Sequence, residues 1–209
     1  MNQIRNTILS LCFTLTLLIA AIYSYSQIDL NLTLSSNSSY QTIQQQLIQL
    51  GYFNRTASTL VFLIIIFLLF IFYFLILYWI RLNKLKAQNV KWLIFLSVGI
   101  LFISYPAFSH DLFNYMFDAR IVTTYHQNPY LHSALDFPGD LWIRFMHWTH
   151  RTYPYGPVWL ILTLPASFLG FGKFVLTLFN FKLFFTIFHL GNIYLIHKIL
   201  SKISPKKTL

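Results

Sequence analysis

The sequence predicts an all-α integral membrane protein with about four transmembrane helices and with juxtamembrane amphipathic helices in a long outer loop. Three observations predict this class. The 209-residue chain has a mean hydropathy of +0.59, and 56% of it is hydrophobic whereas only 10% is charged. Four runs reach or approach the ~20 apolar residues that a bilayer core requires. A short loop between two of these runs is rich in lysine and arginine, as cytoplasmic loops are.

The apolar runs divide the chain into three parts. Residues 1–108 hold three expected spans and the outer loop between the first two, at about residues 7–25, 26–56, 57–80 and 92–108. Residues 109–173 form a long loop outside the membrane, and residues 174–209 form a fourth span and a basic cytoplasmic tail. A signal peptide is the alternative for the first run, but its end at Tyr23 and Tyr25 lacks the small residues of a cleavage site.

The orientation follows from the basic loop RLNKLKAQNVK, which contains Arg81, Lys84, Lys86 and Lys91. Because positive residues accumulate on the cytoplasmic side, this loop lies inside, and residues 26–56 and 109–173 lie outside.

Residues 156–172 are apolar enough to suggest a further span, but they are few and are interrupted by prolines. If they crossed the membrane, the tail with Lys198, Lys202, Lys206 and Lys207 would lie outside, against the charge rule. We therefore expect an interfacial or re-entrant helix here.

The composition also excludes several classes of function. The formal charge of +10 comes with no basic arm or patterned patch that would bind a phosphate backbone, so no nucleic-acid partner is expected. A single cysteine, Cys12, excludes an intramolecular disulfide and a thiolate metal site.

The acidic residues are concentrated in one part of the chain. All five are aspartates, and four of them fall between positions 111 and 140. In SHDLFNYMFDAR, Ser109 is a suitable N-cap for a helix, and Asp111 would lie in its first turn, where the helix dipole favours a carboxylate. Asp118 follows seven residues later on the same face, with Asn114 and Tyr115 between. The pattern predicts an amphipathic helix whose aspartates either form a site or, for Asp111, stabilise the helix end.

Five of the seven histidines lie in the same loop. The segment LWIRFMHWTH predicts a second short amphipathic helix with His147 and His150 three residues apart. Such spacing is a weak metal signal, and a chain without glutamate lacks the general base of zincin-type proteases. We expect no metal ligands and no certain cofactor, and a divalent cation stays open as an alternative.

The ordered set of motifs in this loop resembles a known superfamily. Asp111-x-x-x-Tyr115, Asp118-Ala119-Arg120, Asn128-Pro129-Tyr130 and Tyr155-Gly156-Pro157 occur in the order found in the first large outer loop of GT-C glycosyltransferases. The likeness covers about residues 92–200. It is greatest to the polyprenyl-phosphate-mannose-dependent mannosyltransferases, whose members generally have eight or more spans. The resemblance therefore implies that this chain corresponds to an N-terminal portion.

The resemblance implies that an acidic residue early in the loop is the general base that deprotonates the acceptor hydroxyl, and Asp111 occupies that position. Asp118 remains a second candidate because it lies on the same helical face. A leaving phosphate also requires cationic or hydrogen-bonding groups. The candidate substrate-binding residues are His110, Tyr115, Arg120, Asn128, Tyr130, Arg151 and Tyr155.

Two functions follow as expectations. The first is a membrane glycosyltransferase, or its N-terminal catalytic part, that moves a hexose such as mannose from a polyprenyl-phosphate donor to an extracytoplasmic acceptor. The second is a non-enzymatic polytopic subunit whose His-rich loop binds a divalent cation or a protein. For the enzyme, the expected partners are the bilayer, the lipid-linked donor and a second polytopic chain or a C-terminal half. The protein is expected to be a multi-pass membrane protein with its active loop outside. In a prokaryote the membrane would be the cell membrane.

Overall fold

The computed structural model describes residues 2–203, with side chains from residue 4 onward. Lys206 and Lys207 of the predicted basic tail lie outside the described residues. Within them the secondary structure is entirely helical, which confirms the all-α class. Seven α-helices form two compact units, which divide after Ala107. Their bounds are α1 Asn2–Ser24, α2 Ser38–Ile48, α3 Arg55–Arg81, α4 Ala87–Ile103, α5 Asp111–Thr123, α6 Pro157–Phe168 and α7 Phe174–Ile203.

Three helices of the described chain are long and apolar enough to cross a membrane. They are the stretches Ile4–Gln27, Arg55–Arg81 and Phe174–Ile203. At 1.5 Å per residue, α3 and α7 measure about 40 and 45 Å, which exceeds the bilayer core of about 30 Å. The chain is therefore an integral membrane protein.

The predicted third span differs from the structure. Residues 92–108 were expected to form it, but α4 runs over Ala87–Ile103 and has 17 residues, or about 25 Å. It begins and ends five residues earlier than expected, and its end is explained by Pro106, which has no N–H and disfavours a helical conformation of Tyr105. Its length places α4 among the shorter apolar helices, together with α6.

The first unit packs α1 against α3 and α4. Its core cluster contains Leu17, Ala21 and Ile100. The Tyr23 hydroxyl lies 2.9 Å from the Ser58 hydroxyl and joins α1 to α3 by a buried hydrogen bond. The segment over residues 26–56 is largely helical, since it contains α2 and a π-helical turn at Gln49–Phe53.

The second unit is built around α5, which packs against α6 and α7. Phe117, Ile121, Ala134 and Met146 form its core cluster. The 12 residues of α6 extend about 18 Å, too short to cross a bilayer core. The turn into α7 requires Gly170, because a Cβ there would lie 1.9 Å from Thr177 Oγ1.

Candidate active site

The two aspartates occupy one face of α5, as the seven-residue spacing predicts. His110 rather than Ser109 takes the N-cap position, although the Ser109 hydroxyl still accepts a hydrogen bond of 3.2 Å from the Asp111 backbone N–H. Asp111 is half-buried and Asp118 is only 8% exposed. The two carboxyl groups therefore share a face and differ in their access to water.

The remainder of α5 is more deeply buried than the predicted amphipathic pattern implies. Asn114 is as buried as the apolar residues Phe113 and Phe117 on the other faces. The reason is tertiary, because α6, α7 and the short helix at Leu141–Phe145 all pack against α5. Its polar face is thus largely enclosed by protein.

Burial has a direct electrostatic consequence at Asp118. The low-polarity surroundings raise the pKa of its carboxyl group to about 7, and the positive charge of Arg151 opposes this effect only partly. At neutral pH the proton-bound and ionised forms of Asp118 are therefore present in similar amounts. A buried carboxyl group with such a pKa is typical of functional sites.

Tyr115 connects α5 to the segment that precedes α6. Its hydroxyl donates a hydrogen bond of 3.4 Å to the Tyr155 hydroxyl, and its ring meets the rings of Tyr155 and Trp159 edge to face. Burial first, then the Tyr155 hydroxyl and the charge of Asp111, raise the pKa of Tyr115, and the charge of Arg151 partly opposes this rise. Asp111, Tyr115, Tyr155 and Arg151 therefore belong to one electrostatic neighbourhood.

The Asn128-Pro129-Tyr130 motif forms a second wall of this site. The Asn128 side chain accepts a hydrogen bond of 3.0 Å from the Tyr130 backbone, which fixes the turn. The Tyr130 hydroxyl donates to the Tyr155 carbonyl at 3.0 Å, and the Tyr153 N–H donates to the Pro129 carbonyl at 2.8 Å. These hydrogen bonds join the Asn128-Pro129-Tyr130 motif to the segment that contains Tyr155, 25 residues after Tyr130.

Tyr153 is a site residue that the sequence analysis missed. It is only 4% exposed, and its ring packs edge to face between Tyr130 and Tyr155 at centroid distances of 5.3 and 5.5 Å. Burial raises its pKa, as does the neighbouring Asp118 carboxyl group. A sequence signal existed, because residues two apart in an extended segment share a face and Tyr153 precedes Tyr155 by two.

Two arginines of the loop have different environments. Arg151 lies over the Trp148 ring at 4.9 Å and takes part in neither of the two ion pairs found within residues 2–203. Arg120 donates to the Asp140 carboxylate at 2.5 Å and lies 4.2 Å from the centre of the Trp142 ring. Of these two arginines, Arg151 is therefore the one without an ion-pair partner among the described residues.

The Arg120 contact explains one of the clustered acidic residues. Burial disfavours the charge of Asp140, but hydrogen bonds from the Tyr125 hydroxyl, the Trp142 backbone and Arg120 outweigh it and lower the pKa. The Tyr125 hydroxyl lies 2.6 Å from the carboxylate. Asp140 therefore links the C-terminal end of α5 to the short helix at Leu141–Phe145 by hydrogen bonds. The role of Arg120 in substrate binding stays a prediction.

The histidines do not form the predicted helical pair. In the segment LWIRFMHWTH, only Leu141–Phe145 are helical, as a 3-10 helix. His147 and His150 lie beyond its end. Tertiary contacts replace the helix, since the His147 ring stacks on His110 at 4.0 Å and the Thr149 carbonyl accepts from the Leu135 N–H. Across residues 2–203, no three His, Cys, Asp or Glu side chains come together as a metal site. The cation-binding alternative thus gains no support from the described part.

Comparison with known proteins identifies the family of the chain. A family model described as "Alpha-(1->6)-mannopyranosyltransferase, N-terminal domain" matches residues 17–204, which is most of the chain. Comparison with curated proteins gave no match, and comparison with solved structures gave none either. The matched region includes α5, Arg151 and the packed rings of Tyr130, Tyr153 and Tyr155, which we call the tyrosine wall. The chain therefore belongs to the MptA_B family of mannosyltransferases, as a member with the N-terminal domain of that family.

Proposed function

We propose that this chain transfers a mannosyl group from a polyprenyl-phosphate donor to an extracytoplasmic hydroxyl, and that it forms an α-(1→6) linkage. The observation that carries the proposal is the convergence of Asp111, Asp118 and Arg151 with a tyrosine wall in one unit. The family description supplies the sugar and the linkage. The arrangement provides a base, a cation and hydrogen-bonding groups, which are the parts that glycosyl transfer needs.

In the proposed reaction Asp111 is the general base. Its carboxylate takes the proton of the acceptor hydroxyl while that oxygen attacks the anomeric carbon of mannose from the side opposite the phosphate. The bond between this carbon and the phosphate oxygen breaks, and the lipid phosphate leaves with the electron pair. Asp111 suits this role because its side chain is partly exposed, whereas Asp118 is only 8% exposed.

Arg151 and Asp118 serve the donor in this scheme. Arg151 binds the phosphate and stabilises the negative charge that grows on it as the bond breaks. A pKa of about 7 keeps Asp118 partly protonated at neutral pH, so it repels the phosphate less than a fully ionised carboxylate would. Asp118 as the base is the competing assignment, because a base works best with a pKa near the working pH.

The surroundings of the site suit a lipid-linked donor. On α6, which follows the tyrosine wall directly, Val158, Ile161 and Phe168 are all more than half exposed. A short helix with an exposed apolar face is expected to lie in the membrane interface. Such a helix would accommodate the prenyl chain beside the sugar-binding groups.

The proposal includes a topology and a partner. The basic loop between α3 and α4 favours a cytoplasmic position, which would place α5 and the tyrosine wall outside. The family description refers to an N-terminal domain, and this supports a C-terminal half or a second polytopic chain as partner. Labelling of a single cysteine introduced at position 130 from outside intact cells tests the topology, and co-purification tests the partner.

The activity is tested by transfer from labelled polyprenyl-phosphate-mannose in membranes that carry the chain. Asp111→Asn should lower the rate by about 10²–10⁴, the usual contribution of a general base, whereas Asp118→Asn should remain within about tenfold of the wild type. Asp136→Asn is a matched control, because its carboxylate is exposed and contacts His132. Full activity of Asp111→Asn with loss in Asp118→Asn would assign the base to Asp118, and wild-type membranes without transfer would refute the proposed reaction.

A further inference from the structure

The N-terminal turn of α5, which carries Asp111, is only partly capped. The Ser109 hydroxyl accepts a hydrogen bond of 3.2 Å from the Asp111 N–H, but the N-cap residue His110 makes no side-chain capping hydrogen bond. A capping side chain stabilises a helix end, and frayed helix ends open with free energies near zero. Contacts from elsewhere in the unit therefore decide how completely this turn is formed.

The ring of His147 makes such a contact. It stacks on the His110 ring, with 4.0 Å between the ring centroids and 23° between the ring planes. The His110 ring also meets the ring of Phe113, one turn further along α5, at 5.7 Å. Ring contacts therefore join His147 to the turn that carries Asp111.

The backbone is fixed on both sides of His147. Met146, which directly precedes it, is 8% exposed and belongs to the core cluster of the second unit. Two residues after His147, the Thr149 carbonyl accepts a hydrogen bond of 3.3 Å from the Leu135 N–H. A segment that is anchored in this way can hold a ring at a defined position against α5.

We propose that His147 is a positioning residue, which stacks on His110 and thereby holds the first turn of α5 and the Asp111 carboxylate in place. The inference rests on the proposed function, in which Asp111 is the general base, and it adds a residue that acts on this base from another segment. Proton transfer requires the base to lie within hydrogen-bonding distance of the acceptor hydroxyl. An Asp111 that moves with a frayed turn would spend less time in that position.

The stack requires a flat ring at position 147, not the chemistry of histidine. Phenylalanine also has a flat ring, but it neither titrates nor forms hydrogen bonds through ring nitrogens. His147→Phe should therefore keep the stack, whereas His147→Ala removes it. The matched control is His150→Ala, because His150 lies three residues later in the same segment and its ring meets Trp148 edge to face at 6.3 Å.

The first measurement is steady-state transfer from labelled polyprenyl-phosphate-mannose in membranes that carry the full chain. His147→Ala should lower kcat about three- to tenfold, which corresponds to the loss of one aromatic contact, and should leave the KM for the donor unchanged. His147→Phe and His150→Ala should match the wild type. In the Asp111→Asn background, His147→Ala should cause no further loss, because the base through which it acts is absent.

The second measurement is amide hydrogen exchange of the detergent-purified chain, which requires no activity. The amides of residues 112–114 include the Phe113 N–H, which donates to the His110 carbonyl at 3.0 Å. These amides should exchange about three- to tenfold faster in His147→Ala than in the wild type, and His147→Phe should restore their protection.

Three results would each overturn the positioning role. They are an unchanged exchange rate in His147→Ala, a kcat that His147→Phe fails to restore, and an equal loss from His147→Ala in the Asp111→Asn background. Transfer that requires Asp111 but not His147 would leave the proposed function standing. Absence of transfer in the wild type, together with faster exchange in His147→Ala, would refute the reaction alone.

Discussion

The protonation of Asp118 makes the stability of the protein depend on pH, and Asp118→Asn should remove this dependence. The carboxyl group is buried with α5 in the second unit, and its pKa rises from 3.8 to about 7. Burial penalises the charged form, and Arg151 compensates only partly. Asparagine has nearly the same shape as the protonated carboxyl group and carries no charge at any pH, so it isolates the contribution of ionisation.

The sign follows from proton binding. Between about pH 4 and 7 the folded chain holds a proton on Asp118 that the unfolded chain has lost, so stability falls as the pH rises through this window. Above about pH 7 the folded protein must carry the buried charge and the loss is complete. A pKa difference of about three corresponds to about 4 kcal/mol of the free energy of unfolding.

The assay is thermal unfolding in detergent, followed by tryptophan fluorescence from about pH 4 to pH 8. For a chain of this size, 4 kcal/mol corresponds to about 8–16 °C in Tm. Asp118→Asn should be more stable than the wild type by about this amount at pH 8, and the difference should shrink toward zero at pH 4. Asp111→Asn, the half-exposed neighbour on the same face, serves as control. A Tm difference for Asp118→Asn that is constant with pH would refute the reasoning.

Three further predictions concern the same unit. The apparent KM for the donor should rise as the pH passes about 7, because ionised Asp118 repels the phosphate. Asp118→Asn should flatten this pH profile, and an unchanged profile in the variant would show that Asp118 does not cause the rise. Asp140→Asn should lower the free energy of unfolding by about 3–5 kcal/mol, since it leaves the largely buried Arg120 without its partner. A Tm within about 2 °C of the wild type would show that the pair is dispensable. Gly170→Ala should lower Tm through its clash with Thr177 Oγ1, and Thr177→Ala in the same chain should recover part of the loss; no recovery would place the strain elsewhere.

The candidate site was predictable in part because helical periodicity is a local property. The seven-residue spacing of Asp111 and Asp118 places both on one face of any helix, and the structure has that helix. The pairing of the Asn128-Pro129-Tyr130 turn with Tyr153 and Tyr155 was not predictable in this way, since it depends on hydrogen bonds between segments that are distant in sequence. The same distinction explains why Tyr153 was missed and why the predicted helix with His147 and His150 is absent.

The sequence by itself determined the membrane class, the long apolar helices and the concentration of aspartates, because hydropathy and periodicity depend only on neighbouring residues. Only the tertiary structure decided which aspartate is buried and which arginine has an ion-pair partner. Packing of α6 and α7 against α5 buries Asp118 but leaves Asp111 partly exposed, and it directs Arg120 to Asp140 while Arg151 has no ion-pair partner among the described residues. Charge and pKa depend on the local dielectric and on nearby charges, and these arise only when distant segments come together.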